Sequence, residues 1–179
     1  MTVPIGEYRP GDELAPEVTP GNYSLGRGIA LIARLLDQVQ PQLCVFSGDI
    51  IDGRMCSDHV RAMAEVVAPC QERGVPWCFT PGNHDDDPPA QWNREDLLDL
   101  MRLPGCATPT ATSFNHTFLL GDRLRLFFFD SHGNAHTTTT DGVQPEAIQA
   151  YEALSSSPEL AAEHHAGVIG LAYAARRIH

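Results

Sequence analysis

"LCVFSGDIIDG", residues 43 to 53, is the stretch on which the fold turns. Leu43, Cys44, Val45 and Phe46 follow one another without alternation, and Ser47-Gly48-Asp49 ends the run. So short a continuous apolar run reads as a strand covered on both faces, as in a parallel sheet flanked by helices. Upstream, Ile29, Ile32, Leu36 and Val39 recur at helical spacing from Ser24, a candidate N-cap, until Pro41 stops the pattern. Downstream, "SDHVRAMAEVVAPCQERG" places Val60, Met63 and Val67 on one helical face, and "VPWCFT" is a second short buried strand. Helix and strand in alternation predict an α/β fold.

The second strand runs into "PGNHDDD" as the first runs into "SGD". In open α/β sheets ligands sit beyond the carboxyl ends of the strands, which is where both polar clusters fall. If the strands are neighbours, the Asp49 carboxylate and the Asn83 amide oxygen can meet on one divalent cation, since hard oxygen donors suit Mg or Mn and imidazoles extend the range to Zn and Fe. Gly48 and Gly82 let the backbone turn sharply and approach closely. His84 is then a candidate to stabilise a phosphoryl oxygen or protonate a leaving group, with Asp85 fixing its tautomer from the far ring nitrogen. Taken singly, Gly-Asp and Gly-Asn are ordinary strand-closing turns, and Asp52 reads as a turn or cap carboxylate. The combination on successive strand–helix units is what points to a site.

Beyond residue 92 the texture changes. Asn93 and Asp96 form a capping arrangement ahead of "REDLLDLMRL". "SFNHTFLL" and "RLRLFFFD" flank Gly121-Asp122, a hairpin signal, so antiparallel strands follow the parallel pair. Asp130-Ser131 reads as structural, "SHGNAHTTTTDG" as a polar loop with His132 and His136 solvated, and "VQPEAIQAYEALSSS" as a short helix. Residues 158 to 179 read as a loosely amphipathic helix. The predicted division is an irregular lead-in over 1–24, one domain over 25–155 and an atypical tail over 156–179.

Composition excludes several function classes. With 179 residues, 42% hydrophobic and 20% charged, the chain suits one soluble globular domain. A formal net charge of -11 argues against nucleic acid as a partner, because phosphate-backbone binding needs a basic surface. No apolar run nears the roughly 18 residues of a membrane span, no signal-peptide pattern stands at the start, and the expected compartment is cytoplasmic. Cys44, Cys56, Cys70, Cys78 and Cys106 lack any C-x-x-C pair and read as reduced core thiols.

"SGDIIDG" followed by "PGNHDDD" resembles two signature blocks of the calcineurin-like metallophosphoesterases, Gly-Asp-x-x-Asp-Gly and Gly-Asn-His-Asp/Glu. The segments "IARLLDQVQPQLCVFSGDIIDG", "GVPWCFTPGNHDDD", "NREDLL", "LRLFFFDSHG" and "VQPEAIQAYEAL" are similar, in order, to the purple-acid-phosphatase-like branch that includes fungal cell-cycle-regulating phosphatases. The resemblance implies a two-metal hydrolase (Mn, Fe or Zn) acting on phosphate esters, phosphoproteins among them. It makes Asp49 the bridging carboxylate, Asn83 a ligand of the second metal, His84 the catalytic imidazole, Asp85 its orienting partner and Asp52 a supporting residue. It also implies an α/β/β/α sandwich, of which this chain lacks the Asp-x-His first strand and the C-terminal Gly-His-x-His part. His164, His165 and His179 are poor substitutes, since adjacent helical residues point to different faces. The expectation is therefore a partial sandwich with exposed apolar edges and a weakened metal site. The competing expectation, of a different class, is a non-catalytic truncated remnant acting through binding; whether this chain is an enzyme stays open. An aspartyl-nucleophile phosphatase fails on spacing, because Asp49-Ile-Ile-Asp52 is not Asp-x-Asp.

Overall fold

The structure is a computed structural model that describes residues 25–53, 56–86, 92–131 and 143–169. Helix α1 (Leu25–Val39) leads to strand β1 (Cys44–Phe46), then helix α2 (His59–Glu72) to strand β2 (Trp77–Phe79). A 3-10 helix, Asp96–Arg102, is followed by the hairpin strands β3 (His116–Leu120) and β4 (Leu124–Phe129), helix α3 (Pro145–Ser155), a 3-10 turn Pro158–Leu160 and strand β5 (His164–Ile169). The protein is thus mixed α/β with two small sheets. Ser24, the loop 132–142 with His132 and His136, the lead-in 1–24 and the residues beyond Ile169, His179 among them, lie outside the described residues.

Strands β1 and β2 are parallel neighbours, in the register Cys44 to Trp77, Val45 to Cys78 and Phe46 to Phe79. The pairing continues one step further, where Thr80 N donates to the Phe46 carbonyl at 3.0 Å. The two strands therefore end level, and the loops that leave them start side by side. One face of this sheet meets helices: Phe46, Trp77 and Phe79 pack with Met63, Val66, Val67, Leu97, Leu100 and Met101. Fully burying side chains of this size contributes roughly 1.5–3 kcal/mol each. The other face meets the second sheet, where Cys78 packs with Leu126 and Phe128, and Val45 and Phe118 close around them.

The second sheet has the order β3-β4-β5, with β3 and β4 antiparallel and β4 and β5 parallel. Gly121 turns the hairpin at φ +66°. Alternation sends Phe127 and Phe129 to the far face, where both rings meet Tyr151 of α3 edge-on at 4.8 and 5.8 Å. Hence helices cover the first sheet on one side, the second sheet covers its other side, and α3 lies against the second sheet.

Three expectations change. The tail predicted as helical forms β5, because the unpaired edge of β4 offers a backbone ladder that outweighs the alanine-rich composition. Val60, predicted on the inner face of α2, is 42% exposed, and the buried stripe is His59, Ala62, Met63, Val66, Val67 and Cys70. The segment after Asn93 is a 3-10 helix, although its capping exchange is as expected, Asn93 N donating to Asp96 Oδ2 at 2.9 Å and Asn93 Oδ1 accepting from Asp96 N at 3.0 Å.

Candidate functional site

Gly48, at φ +99°, carries the chain out of β1, and a Cβ built on it would lie 2.6 Å from the Gly82 Cα. Two backbones therefore touch at the strand tips, and a side chain would force them apart. Asp49 follows with φ +52°, the left-handed region that aspartate tolerates better than most residues. Its Oδ1 accepts the backbone N–H of His84 at 3.0 Å, so the carboxylate lies against the peptide joining Asn83 to His84. Its Oδ2 makes no hydrogen bond among the described residues. The carbonyl of His84 in turn accepts from Gly53 N at 2.8 Å, which ties the two loops a second time.

Asp85 does not serve as the orienting partner of the His84 ring. Its two oxygens accept four backbone N–H groups: Asp49 N at 2.8 Å, Ile50 N at 2.9 Å, Ile51 N at 2.8 Å and Gly82 N at 2.6 Å. The carboxylate is a brace between the loops, and the physical reason is that the turn after Asp49 points three successive N–H groups inward, where a buried anion answers them. Burial pushes the Asp85 carboxyl up, to about 6, against the opposing pull of those donors. Asn83 sends its Nδ2 towards His84 Nε2 at 3.4 Å, and its Oδ1 is buried without a hydrogen-bond partner among the described residues. Asp52 is buried in the same loop, its carbonyl accepting from Cys56 N at 2.9 Å.

Arg94 and Asp86 escaped the sequence reading. The Arg94 guanidinium donates to Asp86 Oδ1 at 3.0 Å, to Asp130 Oδ1 at 2.5 Å and Oδ2 at 3.3 Å, and to the carbonyls of Gly82 and Pro81. Burial disfavours its charge, but the two carboxylates hold its pKa above the ordinary value. Burial also raises Asp86, with Arg94 working the other way. The signal was present: Arg94 is the sole cation between the acidic run at Asp85–Asp87 and Glu95-Asp96. Asp130 is buried and structural as expected, with its N–H bound to Asn115 Oδ1 at 2.9 Å. His164 and His165 pair with Leu124 and Arg125 at the start of β4, whereas Asp130 and the site lie beyond its far end. They are thus a whole strand away from Asp49 and Asn83.

Two hard oxygen donors, one anionic and one an orphaned amide, suit a divalent cation such as Mn or Mg. They fit as part of a coordination shell and do not complete one. Among the described residues no group of three or more His, Cys, Asp or Glu is placed to hold a metal.

The sequence profile of the calcineurin-like phosphoesterases matches residues 25–174, and the chain belongs to that family. Among individual proteins it is similar to "Probable inactive purple acid phosphatase 28" of Arabidopsis thaliana, at 29% identity over 103 residues, 58% of this chain and 25% of the plant protein. It is also similar to "Phosphatase DCR2" of Saccharomyces cerevisiae, at 28% identity over 117 residues, 56% of this chain and 20% of the yeast protein. "Probable inactive purple acid phosphatase 14" of Arabidopsis thaliana matches at 36% identity over 78 residues, 42% of this chain and 19% of that protein. The matched region thus spans a quarter or less of these relatives' length. Two of the three are named as inactive. The family match extends beyond residue 155, where the domain was expected to end, and includes β5.

Proposed function

We propose that the tips of β1 and β2 form part of a metal-dependent phosphoesterase centre for phosphate monoesters. The observation that carries this reading is the orphaned, buried Oδ1 of Asn83 at the same strand tips as the Asp49 carboxylate. Asp49 Oδ2 and Asn83 Oδ1 are the atoms that would hold a divalent ion, with Asp52 in support. When bound, such an ion supplies charge neutralisation on the phosphoryl oxygens and an activated water. His84, whose Nε2 lies 3.4 Å from Asn83 Nδ2, is the imidazole that would assist the leaving oxygen. Asp85 contributes rigidity, since its four N–H bonds keep both loops in register. With two oxygen donors in place of a full set, affinity for metal is weak and turnover is low.

The test is hydrolysis of an aryl phosphate with Mn added, beside Asp49→Asn and Asn83→Ala. Metal-stimulated turnover that both substitutions abolish is the expected result. Turnover that ignores them overturns the assignment of catalysis to these strand tips, and no turnover with no bound Mn at millimolar concentration favours the second reading, a non-catalytic binding form. The names of the two plant relatives support that second reading.

A further inference from the structure

Gly82 is gripped from both sides. Its N–H goes to Asp85 Oδ2 at 2.6 Å, and its carbonyl, which belongs to the peptide bond leading into Asn83, accepts from Arg94 Nη1. The same guanidinium reaches the carbonyl of Pro81 through Nη2 at 3.3 Å and Asp86 at 3.0 Å, so it contacts three residues of the loop after β2. Its remaining bonds go to both oxygens of Asp130, which closes β4 in the other sheet and is itself fixed through Asn115. The Arg94 side chain is 14% exposed and that of Asp130 5%, so neither bond is diluted by solvent. A planar fork that serves two carbonyls and two carboxylates at once is a task for guanidinium geometry, which an ammonium cannot reproduce.

We infer that Arg94, anchored on Asp130, is a positioning residue that sets the plane of the Gly82–Asn83 peptide and thereby the aim of Asn83 Oδ1 and the His84 ring. Its functional meaning rests on the metal-site reading above, whereas the mechanical part stands alone. The second sheet, which carries none of the proposed metal ligands, would then shape the site through one buried cation.

Two measurements on Arg94→Met, Arg94→Lys and Asp130→Asn test this. Amide hydrogen exchange at Gly82, Ile50 and Ile51, three of the four donors to Asp85, is compared with exchange at Val66 and Val67 in α2. Mn affinity is read by titration with the metal alone. In Arg94→Met the three loop amides exchange at least about tenfold faster while α2 is unchanged, and Mn affinity drops about ten- to a hundredfold. Arg94→Lys recovers only part of both. Unchanged loop exchange in a folded variant overturns the inference, as does a rise of equal factor in α2, which would mark Arg94 as a general stabiliser. Should Arg94→Met not fold, Asp130→Asn carries the same comparison. A wild type that takes up no Mn overturns the metal-site reading, and loop exchange then decides the clamp by itself.

Discussion

Gly48 and Gly121 both adopt positive φ, yet they differ in what surrounds them. An alanine at Gly121 meets nothing within 4 Å, whereas at Gly48 it strikes the backbone of Gly82. Gly121→Ala should therefore cost about 1–2 kcal/mol from the left-handed backbone alone. Gly48→Ala should cost at least about 1 kcal/mol more, because the two loops must move apart; urea-denaturation midpoints compare them. His59 supplies a second expectation. It is 1% exposed, stacks on Trp92 at 5.4 Å and, among the described residues, neither ring nitrogen makes a hydrogen bond of normal geometry. Burial lowers its pKa, although Asp58, Asp86 and Asp96 pull the other way. The unfolded chain takes up this proton near pH ~6.5 and the folded protein only below that. His59 thus costs stability progressively as pH falls below that value. His59→Phe, which keeps the stack, should flatten the fall in unfolding free energy between pH 7.5 and 5.5. At this scale the placement of Asp49, Asn83 and His84 at two neighbouring strand ends was legible, because their types and spacing follow the apolar runs. It concealed what Asp85 binds, since a carboxylate beside a histidine and one beneath a ring of amides look alike as letters.

Strand β5 is the element whose prediction failed, and it tests how far tertiary contact overrides composition. Val168 is partly buried against the cluster of Cys78, Leu126 and Phe128, while Leu119 on β3 is 36% exposed. Val168→Asp should cost about 2–4 kcal/mol, and Leu119→Asp should stay within about 0.5 kcal/mol; thermal unfolding of the two variants checks the contrast. A helical tail would leave both positions equally tolerant. Elements with strong local signals were legible: α1 ends at Val39 just before Pro41, and the hairpin turns at Gly121. The tail was not, because "AAEHHAGVIG" carries no turn or period that distinguishes a strand from a helix, and only the open edge of β4 decides it. The inner face of α2 was legible in Met63 and Val67 and misplaced at Val60, where one apolar residue lies on the solvent side.

Across the whole molecule, the α/β alternation followed from the apolar runs and the sandwich layering was implied by the family resemblance, whereas the coupling between the sheets was not legible, since it passes through Arg94, a residue that looks like surface in the sequence. Among the described residues β1 pairs with β2 alone. Beside it lies an apolar groove of about 280 Å³ lined by Ile32, Leu35, Val39, Leu43 and Val45, with Val39 67% exposed. A groove that no described residue covers, next to a strand edge, favours association. Sedimentation velocity over rising protein concentration should show self-association that Val39→Arg and Leu35→Arg reduce, and a strictly monomeric wild type would contradict it. The bridge from Gly82 through Arg94 to Asp130 has one more consequence: the two layers cannot slide past each other without dragging the tips of β1 and β2 out of alignment. Heating should then loosen these tips only by parting the sheets, with no earlier step that disorders the tips while the scaffold survives.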